Sequence, residues 1–266
     1  MKRNIARRSL IAHLAIGGVD AVSVTGSAAD QPAAPAPPNA PGQRPQVVAF
    51  DVIETLFDTQ PLNPLLSSIG LPKDSLNVWF PRFLRDAMAL EVMGEFLPFR
   101  EVASASLEAL LTEHRLDAKR ENIDKVLSAF EGLRAHPDVR PAFDALRAAR
   151  VRIITLTNGN ADTTRKMLTG AGLDGFVEQV LSIEEVRHWK PSRDVYLHAV
   201  KSLGIAPQHL TLVAAHDWDT AGAGRAGLTT GGVARDGRRF SSAMPQPDVM
   251  GATLVEVVQA LLALPP

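Results

Sequence analysis

Asp51, Thr157, Lys190 and Asp219 are the residues whose types could do chemistry together. Asp51 closes the run VVAFD, Thr157 opens TNGN, Lys190 shares HWKPSRDVY with Tyr196, and Asp219 closes HDWD, which begins at His216. Taken alone, Asp51 reads more readily as a cap for a following turn than as a functional acid. A carboxylate, a hydroxyl, a lysine and a second carboxylate gathered at one place are different. Burying them costs desolvation energy unless they act on one another or on a ligand.

The elements around these residues say how they would be gathered. Apolar, β-branched runs recur at residues 47–50, VRIITLT (151–157), FVEQVLSI (176–183), LTLVAA (210–215) and TGGVA (230–234). Helical patterns separate them: PDVRPAFDALRAAR, ADTTRKMLTGAG, PSRDVYLHAVKSLG starting at Pro191, and DTAGAGRAG starting at Asp219. Strand alternating with helix predicts a doubly wound α/β domain with a parallel sheet covered on both faces. In such a sheet ligands collect outside the carboxyl ends of the strands, where Asp51, Thr157, Asn158, His216 and Asp219 all fall.

Residues 62–134 break the rhythm. NVWFPRFLRDAMALEVM, FREVASASLEALLTEH and ENIDKVLSAFEGL carry apolar residues three and four apart with no strand between them, which predicts a helical insertion after the first strand. The expected division is a core of residues 46–61 and 135–266 with a helical cap at 62–134. TLVEVVQALLAL reads as a closing amphipathic helix.

Residues 1–29 have a basic start, adjacent Arg7 and Arg8, a mostly apolar run and the small residues Gly26–Ala29. They resemble a twin-arginine export signal, which predicts a periplasmic protein; the bland alternative is a plain N-terminal extension in a cytoplasmic one. Residues 30–45, rich in Pro and Ala, read as a linker without a core. No stable membrane anchor is expected, because the apolar run stops well short of about 20 residues.

Composition narrows the function classes. The chain has 266 residues, 45% of them hydrophobic, with 28 Lys+Arg against 29 Asp+Glu. That balance offers no basic face for nucleic acid. The absence of cysteine removes disulfides, thiolate zinc sites and a cysteine nucleophile, and the seven histidines form no HExxH pattern.

FDVIETLFD, LTNGN, WKPSRDVY and HDWD, in that order and with a helical insertion after the first, resemble the four motifs of the haloacid dehalogenase (HAD) superfamily. The nearer likeness is to its type II, L-2-haloacid dehalogenase branch, over roughly residues 46–260. The resemblance implies a HAD-like Rossmannoid core with an inserted helical cap. It also implies hydrolysis of short 2-haloalkanoic acids to 2-hydroxy acids through an ester on Asp51, and allows a homodimer as the oligomer. Carried over residue by residue, Lys190 keeps Asp51 ionised, Thr55 hydrogen-bonds it, and Thr157 and Asn158 hold substrate or nucleophile. Asp219 orients or deprotonates the hydrolytic water, Tyr196 lines the site beside Lys190, and Val52 and Ile53 contact the substrate.

Ile53 discriminates between branches. Phosphatases of this fold carry a second Asp two residues after the nucleophile, to protonate the leaving alkoxide. Isoleucine transfers no proton, and halide needs none. Ala215, where those phosphatases carry a magnesium-binding acid, points the same way, so no required metal and no cofactor are expected. Four positions depart from the dehalogenase pattern. Ala214 and His216 stand for a serine and an asparagine. His216 is either a water-holding or acid/base group or a packing histidine. Phe80 stands for the halide-binding arginine, for which Arg82 and Arg85 are the nearby substitutes and Arg85 the choice. Glu54 stands for a glycine and either contacts the insertion or faces solvent. A HAD phosphatase, or a HAD-fold binding protein that has lost catalysis, are the rival readings. Gly222, Gly224 and Gly227 also spell GxGxxG, but they fall within or after a helix rather than at a strand-to-helix turn, so they read as close-packing residues.

Overall fold

The computed structural model describes residues 43–265; the expected export signal, and all of the linker before residue 43, lie outside the described residues. The chain opens with β1 (Val47–Phe50), four buried residues, followed by the short β2 (Phe57–Asp58). Helices α1 (Leu62–Ser68), α2 (Leu76–Met93), α3 (Phe99–Glu113) and α4 (Arg120–Ser128) come next, and β3 (Arg134–Ala135) pairs antiparallel with β2. The insertion is therefore helical throughout, as its periodicity predicts, and leaves and rejoins the core through a two-stranded neck.

From there strand and helix alternate: α5 (Val139–Ala148), β4 (Arg152–Thr157), α6 (Ala161–Gly170), β5 (Gln179–Ser182), α7 (Arg193–Leu203), β6 (Leu210–Ala214), α8 (Asp217–Arg225), β7 (Thr229–Val233), β8 (Val249–Gly251) and α9 (Leu254–Leu262). Six strands form one parallel sheet in the order β5-β4-β1-β6-β7-β8. Right-handed crossovers put α5 and α6 on one face and α7 and α8 on the other. Such burial on both faces explains why the central strands are apolar without alternation.

The strand order reverses between β1 and β6. Chain leaving β1 proceeds to β4 and β5 on one side, whereas β6 leads to β7 and β8 on the other. The connections leaving the carboxyl ends of β1 and β6 therefore diverge and open a crevice, the usual ligand position in such a sheet. Asp51 and His216 stand at those two ends.

Sequence boundaries shift in places. α7 begins at Arg193 rather than Pro191, α8 begins at Asp217 rather than Asp219, and β2, β3, β8 and α1 were too short to show a period. Gly222 and Gly224 lie inside α8, as the packing reading requires. A β-carbon at Gly222 would come within 2.6 Å of the Pro191 β-carbon and 2.7 Å of Tyr196 Oη, so the helix depends on glycine to approach this closely.

The insertion builds its own apolar layer. Trp79, Phe80, Phe83 and Ala87 form the buried stripe of α2. Edge-on contacts join Phe80 to Phe83 (4.8 Å), Phe83 to Phe99 (5.0 Å) and Phe99 to Phe130 (5.4 Å), and such ring pairs stabilise beyond their buried area. α2 stops at Gly94, whose left-handed backbone (φ 74°) lets its amide close the last turn. Just before that stop, Glu91 accepts hydrogen bonds from the Trp189 amide (2.7 Å) and from His188 Nδ1 (2.9 Å). The insertion is thus fastened to the loop that carries Lys190.

Candidate active site

Asp51 is the first residue after β1, 5% exposed, with its amide held by Val213 of β6. Thr55 Oγ1 donates to Asp51 Oδ2 at 2.7 Å and accepts from the Ala215 amide at 2.9 Å, so one hydroxyl ties the β1 loop to the end of β6. Lys190 Nζ lies 3.2 Å from Asp51 Oδ1 and 2.9 Å from Asp219 Oδ2. The second oxygen of Asp219 accepts from Tyr196 Oη at 2.7 Å. Asn158 Oδ1 accepts from the Lys190 amide, and Thr157 Oγ1 accepts from the Gly159 amide. Arg235, absent from the sequence expectations, braces the loop by donating to the Thr55 carbonyl and to Asp138.

These groups set one another's charge. Burial pushes the Asp51 carboxyl up, but Lys190, His216 and Thr55 outweigh it and hold the group well below the usual carboxylate range. Burial would lower Lys190; Asp219 and Asp51 raise it instead. Asp219 is raised by burial and by Asp51, against the pull of Lys190 and Tyr196. Tyr196 is pushed well above 10 by burial and by Asp219, so it stays a donor. A carboxylate at position 51 that is anionic at every ordinary pH is the chemical result.

His216, the N-cap residue of α8, completes the cluster. Its Nε2 lies 2.9 Å from Glu54 Oε2. Its Nδ1 lies 3.3 Å from Asp51 Oδ2, an ion-pair distance without hydrogen-bond directionality. Burial would lower its pKa, yet the facing Asp51 and Glu54 carboxylates push it up to about 10. Trp218 stacks on the imidazole with centroids 4.9 Å apart.

A cavity of about 20 Å³ lies against Asp51, Ile53, Thr157, Asn158 and His216, roofed by rings from the insertion that include Phe80 and Phe83. A larger one of about 440 Å³ between insertion and core shares Ile53, Phe99 and Thr157 with it. The amides of Val52 and Ile53, next to Asp51, take no part in the backbone hydrogen-bond pattern among the described residues. They are free to bind an acceptor.

Ten of the eleven candidate residues therefore gather at the switch point, Tyr196 doing so behind Asp219 rather than on the cavity wall. Arg85 does not: its side chain is 70% exposed and pairs with Asp86. Arg82 is turned to Glu113. The buried Phe80 occupies the wall instead, because α2 presents its aromatic stripe inward and its arginines outward. Glu54 contacts neither the insertion nor open solvent as its main partner; it meets His216. Neither sequence position announces the other, since 162 residues separate them.

The donor set does not suit a magnesium ion. Mg²⁺ wants oxygen ligands in octahedral array. Here Lys190 Nζ already stands between the two carboxylates, and position 215 contributes a methyl group. Among the described residues no group of three acids or histidines is placed to hold a metal.

A family model for haloacid dehalogenase-like hydrolases matches residues 45–227. Haloacetate dehalogenase H-2 of Moraxella sp. (strain B) is 26% identical over 205 residues, 76% of this chain and 92% of its own. (S)-2-haloacid dehalogenase 1 of Pseudomonas sp. (strain CBS-3) is 28% identical over 218 residues, 81% of this chain and 96% of its own. The crystal structure of the L-2-haloacid dehalogenase RSc1362 superposes with a TM-score of 0.77 at 24% identity, covering 84% of this chain and 100% of that one.

Proposed function

We propose, from the premise that the chain belongs to the haloacid dehalogenase-like hydrolase family, that it converts short 2-haloalkanoic acids to 2-hydroxy acids through an ester on Asp51. The observation that carries this reading is the pairing of an anionic Asp51, fixed by Lys190 and Thr55, with Ile53 and an aromatic wall where a proton donor would otherwise stand. Asp51 attacks C2 of the substrate, the carbon–halogen bond breaks, and halide departs without needing a proton. The positively polarised edges of the Phe80 and Phe83 rings are suited to receive it. The free amides of Val52 and Ile53, with Asn158 and Thr157, face the substrate carboxylate. Water then attacks the ester carbonyl and releases the hydroxy acid.

In this reading the insertion acts as a lid, fastened by Glu91, that keeps bulk water from the ester. Residues 1–29 act as an export signal that delivers the enzyme to the periplasm. The dehalogenases among its relatives support the chemistry through their names, and the missing acids at positions 53 and 215 weigh against a phosphatase.

Single turnover with 2-chloropropionate in ¹⁸O water tests the reading. Halide release insensitive to EDTA, with ¹⁸O recovered in the Asp51 peptide and no release by Asp51→Asn, is expected. Metal-dependent phosphate release from a phosphoester without any halide would overturn it, and neither activity would leave a binding protein.

A further inference from the structure

We propose that Glu54, His216 and Asp51 form a relay in which His216 Nδ1 takes the proton from the water that hydrolyses the Asp51 ester, Glu54 being its positioning carboxylate. The proposal rests on the dehalogenase reading and concerns its second step.

Four observations converge on it. First, His216 Nδ1 is buried and, among the described residues, makes no directional hydrogen bond, its nearest partner being Asp51 Oδ2 at 3.3 Å, and His216 lines the small cavity beside Asp51. A buried polar atom left in this way calls for a ligand or water, and about 20 Å³ is room for one water molecule. Second, Asp51 and His216 are the only ionisable residues on that cavity's wall. Third, Asp219 is poorly placed to act as the base: both of its oxygens are engaged, by Lys190 and Tyr196, and it does not line the cavity. Fourth, Glu54 holds a left-handed backbone (φ 64°), strained for a residue with a side chain. In that conformation its carboxylate reaches His216 Nε2, with Arg238 and Thr59 beside it. Trp218 fixes the plane of the imidazole. The Glu54 and His216 departures from the family pattern thus form one device.

The steps balance. In the resting site His216 faces the Asp51 and Glu54 carboxylates, themselves backed by Lys190 and Arg238, and is an imidazolium. Displacement of halide turns Asp51 into a neutral ester, removes one of the two anions that hold the proton, and lets that proton leave to solvent. The neutral imidazole accepts a proton from water as the water oxygen bonds to Asp51 Cγ. The Cγ–O bond to the substrate then breaks, the departing alkoxide takes the proton back from His216, and the Asp51 acid ionises onto the imidazole. Each cycle consumes one water and releases one halide and one proton.

Rapid-mixing kinetics on the full chain with 2-chloropropionate tests this. Wild type gives steady halide release. His216→Gln and His216→Phe, each checked for native circular dichroism, are expected to give one equivalent of halide in a burst. Hydrolysis should then slow about 10²–10⁴-fold, the usual worth of a general base, and intact-protein mass should show a carboxyethyl ester on Asp51. Glu54→Gln keeps an acceptor for Nε2 but removes the charge. Its ester hydrolysis should slow about tenfold, with the acid limb of its pH profile moved to lower pH, a displacement that a merely structural Glu54 would not produce. Unchanged turnover in the His216 variants, or a lost burst with intact fold, overturns the relay while wild-type halide release upholds the dehalogenase reading. No halide from wild type overturns both.

Discussion

Lys190→Met is the most informative single perturbation of this site. Lys190 is 1% exposed and its ammonium sits between Asp51 (3.2 Å) and Asp219 (2.9 Å). Methionine keeps much of the volume and removes the charge. Two buried carboxylates are then left facing each other, and breaking a buried pair by deleting one partner costs about 3–5 kcal/mol. For a chain of this size that is a fall in Tm of about 6–20 °C. The pH dependence is more diagnostic than the size. In wild type Asp51 is held low by the lysine, which stabilises the fold above the ordinary carboxylate value of 3.8, while the raised Asp219 works in the opposite direction. In the variant burial and mutual repulsion raise both carboxyls relative to wild type, with His216 and Thr55 still opposing the rise at Asp51, and each unit of rise is worth about 1.4 kcal/mol. A group with a raised acid pKa loses stability as pH rises through that value. Lys190→Met should therefore gain more stability than wild type does between pH 7 and pH 5. Urea denaturation at a series of pH values measures this, and Asp51→Asn in the same background should restore part of the loss. A deficit under about 1 kcal/mol with the wild-type pH slope would refute the claim that this lysine neutralises two buried acids.

Wild type should be most stable between about pH 4.5 and 6.5. His216, pushed up to about 10, stabilises fully below its ordinary 6.5 and loses that contribution as pH rises towards 10. Glu54, held below its ordinary 4.5, loses its contribution on acidification. Thermal melts across pH 4–10 check both limbs. Gly222→Ala forces a methyl group against Pro191 and Tyr196 at 2.6–2.7 Å, so about 1–3 kcal/mol of stability is expected to go, with activity falling as the Lys190 loop shifts. Glu91→Ala leaves the Trp189 amide and His188 without their shared acceptor. About 1–3 kcal/mol of local stability should be lost, read as faster amide exchange in residues 76–113, together with a lower kcat from a looser lid.

Much of the fold and the site was legible in the residues. Short, β-branched apolar runs without alternation, set between helical patterns, fit strands covered on both faces, so the parallel sheet follows from composition and order. A site at the strand ends follows from that topology, which is why Asp51, Thr157, Asn158, His216 and Asp219 could be gathered without coordinates. The pairs β2–β3 and β7–β8 were not legible, because two or three residues carry no measurable period.

Direction and partnership were decided by tertiary structure. Arg85 and Phe80 lie on neighbouring turns of α2, and a sequence permits either to face Asp51. Packing settles the matter: burying the aromatic stripe lowers the free energy, whereas Arg85 keeps its charge in solvent beside Asp86. Lys190 and Asp219 were expected together, but only the fold shows Tyr196 behind them, holding Asp219 away from the cavity. Glu54 and His216 show the limit most clearly. Each was visible as a departure from pattern, but their contact depends on the reversal of strand order between β1 and β6. That reversal brings the ends of two distant strands within one hydrogen bond of each other, and a linear chain carries no local signal of it.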